Sequence, residues 1–462
     1  MSIPKGSGPL TGIKIVEIAG IGPAPLCCSL LADMGADLIR IDRTGPSGLG
    51  FEFAGPEADV RRRGRPSVAI DLKHPQGIKT ALRLIASADA LIEPLRPGVM
   101  ERLGLGPEVC LDRNPKLIYA RMTGWGQTGP LAHAAGHDIN YISLSGVLHA
   151  IGTRERSVPP LNVVGDMGGG AMFLVMGVLA ALLEAKSSGL GQVIDVAMTE
   201  GSAYLALTCF GLAAAGEWSE WREDNFIDGG APCWRCYETK DGKWISVGAV
   251  EAKFYSLLLR TLDFDEAAQP AQFDREHWPR MRELFASRFK EKTRDEWCAM
   301  RKGTDICFAP VLSFREAPDH PHNKARGSYV KVDRIMQPGP APRFSRAPSR
   351  VKFGPPAFGA QTEETTRSMG FLARRDRGAE ESEGSRPTEG IGQKRLSRYG
   401  AEKSLMRVFN AFPMLREPRS TWLTRSQFRM RQRSRVRRRL RMIALDPLRA
   451  FSAPLLQLER HR

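Results

Sequence analysis

A run of β-type residues, a glycine turn, a helix and a second such run stand near the start of the chain, and this order leaves few folds open. Ile13-Lys14-Ile15-Val16-Glu17-Ile18 reads as a strand, Gly20-Ile21-Gly22-Pro23 as a turn, Pro25 to Met34 as a helix, and Asp37-Leu38-Ile39-Arg40-Ile41-Asp42 as a second strand. Ala90-Leu91-Ile92-Glu93, Leu117-Ile118-Tyr119-Ala120 and Gln192-Val193-Ile194-Asp195-Val196 read as further strands. Strands joined through helices run parallel, so the alternation predicts an α/β domain on a parallel sheet. Gly20-x-Gly22 matches part of a dinucleotide fingerprint, but Pro25 stands where the third glycine belongs. The motif therefore reads as a tight strand-to-helix turn, and no NAD is expected.

Further on, Gly170 to Ala185 reads as a long apolar helix. From about residue 225 the character changes. Tyr237-Glu238-Thr239, a Lys240-Asp241-Gly242-Lys243 turn and Trp244-Ile245-Ser246-Val247 make a hairpin, with helices after it. The expected organisation is a large α/β domain beginning with residues 1–200, a linker at 201–224, a small α+β domain at 225–325, a return to the large domain at 326–372, and a basic tail at 373–462. Composition is that of a globular chain, 42% hydrophobic and 26% charged. The formal charge of +16 misleads, because residues 351–462 hold 25 Lys+Arg against 11 Asp+Glu and account for +14 of it. The body is close to neutral, which disfavours a nucleic-acid-binding body. Only the tail, with Arg431-Gln432-Arg433-Ser434-Arg435-Val436-Arg437-Arg438-Arg439, offers an anionic partner a surface. The polar, turn-rich stretch Glu380 to Gly390 makes the tail read as disordered. Eight scattered cysteines, no apolar run of about 20 residues and an N-terminus without a signal peptide's apolar stretch point to a cytoplasmic protein with no membrane span. The lone Cys233-x-x-Cys236 has no second pair at zinc spacing, and no metal is expected. Arg61-Arg62-Arg63-Gly64-Arg65, placed just before a strand containing Asp71, reads as a solvated loop in preference to a phosphate-steering patch.

Several segments in order carry a resemblance. They are Gly8-Pro9-Leu10-Thr11-Gly12-Ile13-Lys14-Ile15-Val16-Glu17, Leu31-Ala32-Asp33-Met34-Gly35-Ala36-Asp37, Arg96-Pro97-Gly98-Val99-Met100-Glu101-Arg102-Leu103-Gly104 and Gly124-Trp125-Gly126-Gln127-Thr128-Gly129-Pro130. Asp228-Gly229-Gly230-Ala231-Pro232, Ala309-Pro310-Val311-Leu312, His320-Pro321-His322-Asn323 and Pro342-Arg343-Phe344-Ser345-Arg346 follow. Together, over about residues 8–370, the chain resembles the family III CoA-transferases (CaiB/BaiF type) and, within them, the α-methylacyl-CoA racemases. The resemblance implies a Rossmann-like large domain with a smaller α+β domain. It also implies an interlocked homodimer whose sites lie between the large domain of one subunit and the small domain of the other. The substrate would be an acyl-CoA, which carries its own coenzyme A, so no separate cofactor is implied.

The same resemblance assigns roles. In Gly136-His137-Asp138-Ile139-Asn140-Tyr141, His137 stands where the transferases usually have tyrosine and the racemases histidine, and an imidazole suits proton transfer near neutral pH. In Val164-Gly165-Asp166-Met167-Gly168-Gly169-Gly170, Asp166 matches the nucleophilic carboxylate of the transferases and an acid/base residue of the racemases. It stands at the start of the apolar helix, whose N–H groups are expected to meet an enolate oxygen. Glu251 matches a glutamate that reaches the histidine from the other subunit, although Glu251-Ala252-Lys253 replaces the usual Glu-Pro-Gln. Arg43, Lys73, Arg96, Arg102 and Tyr141 occupy positions resembling CoA contacts. Gln361 stands where relatives often have histidine. The implied activity is inversion of the α-carbon of a 2-methylacyl-CoA. The alternatives are a CoA-transferase using Asp166 as nucleophile through a mixed anhydride, and a binding protein acting through the arginine-rich tail.

Overall fold

The computed structural model describes residues 7–45, 55–300 and 303–368. The tail at 373–462, expected to be disordered, lies outside the described residues.

The first strands form where the periodicity places them. β1 (Lys14–Ile18), β2 (Asp37–Asp42), β3 (Ser67–Ala69), β4 (Ala90–Glu93), β5 (Ile118–Thr123) and β6 (Gln192–Ala197) make one sheet in the order β3-β2-β1-β4-β5-β6. Every pairing in it is parallel. Both faces are covered, as parallel sheets require. Ile15, Ala90, Ile92, Ile118 and Ala120 face one core, and Val16, Leu91 and Tyr119 face the other. That alternation is the two-residue period of a strand read across two buried faces. α1 (Pro23–Asp33) covers the first face. α2 (Pro75–Ala86) covers the second, presenting Ala81, Leu82, Leu84 and Ile85. Pro75 opens α2 without wasting an N–H, and the Gln76 N–H donates to His74 Nδ1 at 3.2 Å.

Three expectations change here. The strand before Asp71 ends at Ala69, so Asp71 lies beyond it. The apolar helix expected from Gly170 begins at Val163 instead. Val163–Met172 is a π-helix that runs directly into α5 (Phe173–Ser188). α4 (Asp138–Leu144) packs against this π-segment, and the short α3 (Val99–Arg102) follows β4. By length and composition Val163–Ser188 is apolar enough to cross a bilayer. Its Leu174, Val178, Ala181 and Leu182 are packed into the core beside the sheet. The stretch expected as a linker carries helix, with α6 (Met198–Leu205) and α7 (Leu207–Ala214).

A separate apolar core forms further along. β7 (Trp234–Glu238), β8 (Trp244–Gly248) and β9 (Phe308–Pro310) pair antiparallel in the order β9-β8-β7. They pack with α8 (Ala252–Thr261) and α9 (Trp278–Phe289) around Tyr237, Phe285, Phe289 and Trp297. The proline-rich return then ties the chain back to the sheet. The Gly64 N–H donates to the Phe353 carbonyl at 2.9 Å, the Arg350 N–H to Asp33 at 3.0 Å, and the Ser67 N–H to Gln361 Oε1 at 2.8 Å.

Candidate active site

In the sheet order, β1 lies between β2 and β4, so the chain leaves these strands in opposite directions. A parallel sheet opens a crevice at such a switch point, outside the carboxyl ends of the strands. The glycine turn follows β1 there, and Pro94–Arg96 follow β4. The two loops close on each other: a Cβ on Gly20 would stand 2.2 Å from Pro94 Cγ. Gly22 caps α1 with φ +71°, and a Cβ on it would lie 3.6 Å from an Asp166 carboxylate oxygen. The turn read from sequence as a tight connection is therefore also where the candidate carboxylate arrives.

Asp166 is half-buried within the π-segment. Its Oδ2 accepts from Asn162 Nδ2 at 3.1 Å, and its backbone N–H donates to Asp138 Oδ1 at 2.6 Å. Burial pushes the Asp166 carboxyl above the usual carboxylate range, and the charge of Asp138 adds to the rise. The Asn162 hydrogen bond and the nearby charges of His137 and Arg61 pull it back in part. Of the N–H groups at this helix start, that of Asp166 is thus bonded to Asp138.

His137 is the exposed N-cap of α4, in extended conformation. Its N–H donates to Asn140 Oδ1 at 3.1 Å, and its carbonyl accepts the Asn140 N–H at 2.8 Å. The next residue is the same Asp138 that holds Asp166, so one side chain links the two candidate acid/base groups. Tyr141, one helical turn on, is buried. Its hydroxyl donates to the Gly136 carbonyl, and its ring meets Trp125 edge-on with centroids 4.8 Å apart. Burial, with Asp166 nearby, pushes the phenol up to about 12. Tyr141 therefore holds the main chain immediately before His137.

Arg43, Lys73 and Arg96 lie beyond the carboxyl ends of β2, β3 and β4 in turn, and all are exposed. Arg102 closes α3, also exposed. This gathers three of the four cations on the rim of the sheet that carries the crevice. Glu251 is on the other core, as the exposed N-cap of α8, where its side chain caps no N–H.

The arginine run overturns its reading as a solvated loop. Arg62, Arg63 and Arg65 are at most 8% exposed. Arg65 Nε lies 2.7 Å from Glu17 and Arg63 Nη2 lies 2.6 Å from Asp33. Arg63 Nη1 also donates to Gln337 Oε1 at 2.7 Å, which fastens the return segment. Arg61 is the outer member, paired with Asp59 at 2.8 Å and close enough to act on Asp166. Sequence reasoning missed Arg61, Asn162 and Asp138 as site residues. Asn162 had a signal, since asparagine four residues ahead of Asp166 suits a helix N-cap. Asp138 had none beyond being an acid in a helix's first turn.

The profile of CoA-transferase family III matches residues 10–362. Alpha-methylacyl-CoA racemase of Mus musculus is 45% identical over 365 residues, covering 78% of this chain and 93% of that protein. The Homo sapiens protein of the same name is 42% identical over 367 residues, covering 78% and 94%. Among solved structures, a CAIB/BAIF family protein from Brucella suis superposes with a TM-score of 0.69 at 23% identity, covering 79% of this chain and all of that one.

Proposed function

The chain belongs to CoA-transferase family III, and on that premise we propose that it is an α-methylacyl-CoA racemase that inverts the α-carbon of 2-methylacyl-CoA thioesters. The observation that carries this reading is a histidine and a carboxylate, His137 and Asp166, joined through one side chain beside the crevice at the sheet's switch point.

Inversion needs two groups of this kind. The thioester acidifies the α-proton. One of His137 and Asp166 takes that proton, leaving an enolate, and the other, already protonated, returns one to the opposite face. The raised Asp166 carboxyl suits the exchange, because its proton affinity is brought closer to that of an imidazole. Arg43, Lys73, Arg96 and Arg102 hold the CoA phosphates in this reading, as guanidinium and ammonium groups do. The chemistry calls for no cofactor beyond the CoA that the substrate carries.

We propose a homodimer in which Glu251 of one subunit approaches His137 of the other. Supporting it, Leu144, Leu183, Tyr204, Leu207 and Phe210 on α4 to α7 are each more than half exposed, an apolar surface that pairing would cover. Cytoplasmic residence is supported by eight free thiols, the state a reducing compartment maintains.

The test is incubation of the purified protein with one enantiomer of a 2-methylacyl-CoA in deuterated buffer. Racemase action gives both enantiomers with deuterium at the α-carbon and needs no second acid. Retention of configuration and of the α-proton, with CoA passed only to an added carboxylic acid, would replace this reading with the transferase one.

A further inference from the structure

Asp138 is a buried carboxylate lying against the Asp166 segment. It is 7% exposed, at the first position of α4 immediately after His137. Its Oδ1 receives the backbone N–H of Asp166 at 2.6 Å, a charge-assisted bond between the two candidate acid/base segments. That N–H belongs to the opening turn of the π-segment, where main-chain donors have no partner within the helix. The approach is close enough to demand glycine next door: a Cβ on Gly165 would stand 2.5 Å from Asp138 Oδ1 and 3.1 Å from Ile142 Cγ2. Asp138 Oδ2 is buried and accepts no hydrogen bond from any described residue.

This last feature separates a structural cap from an electrostatic one. An asparagine would receive the same N–H through its carbonyl oxygen and bury no charge. Burying a carboxylate with one oxygen unpaired costs stability that a neutral cap avoids. We propose that Asp138 is a positioning residue for the racemisation proposed above, fixing Asp166 relative to His137 and placing its own carboxylate against the Asp166 segment. The charged and titratable groups near Asp166 are Asp138 and the phenol of Tyr141 on α4, His137 at its N-cap and Arg61 from the loop after β2, with Asn162 as its neutral donor. Asp138 is the negative member of this set. Its removal leaves His137 and Arg61 to favour the ionised form.

Two substitutions test this, with two readouts. Asp138→Asn keeps the acceptor and removes the charge, whereas Asp138→Ala removes both. Amide hydrogen exchange at Asp166, followed by mass spectrometry of the peptide that contains it, needs no activity. Protection is expected to persist in D138N and fall at least tenfold in D138A. Equal protection in wild type and D138A overturns the tether. In α-proton exchange assays, D138N is expected to retain turnover while the acidic limb of kcat/KM moves to lower pH by about half a unit or more, since a neighbouring negative charge no longer holds the proton on Asp166. D138A is expected to lose kcat more than KM. A D138N profile superposing on wild type overturns the electrostatic role. Absence of α-exchange by the wild-type protein itself, with amide protection behaving as described, instead refutes the racemase reading and leaves the tether standing.

Discussion

Replacing Glu17 with glutamine isolates what the buried charges contribute. Glu17 is fully buried in β1, in register with Arg40 on β2, and holds Arg40 Nη1 at 2.5 Å and Arg65 Nε at 2.7 Å. Arg40 keeps a second carboxylate, Asp42, at 3.0 Å. Arg65, fully buried, is left with the Ser29 hydroxyl and the carbonyls of Arg61 and Arg63. Glutamine preserves the volume, so no cavity contributes. The loss is that of one buried cation without its counter-charge, which is about 3 kcal/mol at the low end of the range for breaking such pairs. Domain stabilities are only about 5–15 kcal/mol, so this is a large fraction. With a urea slope of about 1–3 kcal/mol per M, the unfolding midpoint is expected to fall by roughly 1 M or more, read by tryptophan fluorescence and far-ultraviolet circular dichroism. Adding Arg65→Met removes the stranded charge and is expected to recover part of the loss, a non-additivity that marks coupling. A midpoint lowered by less than about 0.3 M in Glu17→Gln refutes the claim that Arg65 depends on Glu17.

Two further substitutions separate roles that the fold places close together. Glu93, on β4, is fully buried; burial raises its carboxyl from 4.5 to about 7 despite the Leu95 N–H and Arg121 that hold it. A raised carboxyl stabilises the fold fully below pH 4.5, and that contribution is lost as pH rises through about 7. Wild type is therefore expected to lose about 3 kcal/mol relative to Glu93→Gln between pH 4 and 8, and parallel urea midpoints across that range would contradict it. Tyr141→Phe removes the hydroxyl that holds the Gly136 carbonyl, at about 1 kcal/mol of stability. If Tyr141 places the main chain before His137, kcat falls and KM for the acyl-CoA stays; a raised KM with kcat intact would return Tyr141 to the role of a CoA contact.

The fold was legible where local pattern and tertiary environment agree. β2 and β4 keep the limits that the sequence predicts, because each has an apolar centre, Leu38-Ile39 and Leu91-Ile92, whose alternate residues pack into the two cores of the sheet. The helix that carries Asp166 was read as starting seven residues late. Gly168-Gly169-Gly170 lowers helix propensity where the π-segment runs, and packing overrides it: a Cβ on Gly169 would stand 2.6 Å from the Ser202 N–H nitrogen, and one on Gly170 2.8 Å from Pro23. The arginine run failed for the same reason at longer range. Four arginines in five residues look solvated until Glu17, Asp33, Asp42 and Gln337, which lie 20 residues or more from their partners in sequence, are brought beside them.

The individual site residues were easier to find than their coupling, and the glycine turn shows why. Gly20-x-Gly22 after β1 sits at the switch point where a parallel sheet receives a ligand, so half of the dinucleotide fingerprint was correctly present. Its third position is Pro25, inside α1, and the small residue at Gly22 faces the Asp166 carboxylate at van der Waals distance. The glycine that in a nucleotide site lets a phosphate approach the backbone here takes the positive φ of the turn, and beside it stands a carboxylate brought in by a helix more than 140 residues later. Local sequence records the space and not its occupant. What fills the space is decided by Asp138 and Asn162 holding the π-segment in place, and those contacts exist only once the chain has folded.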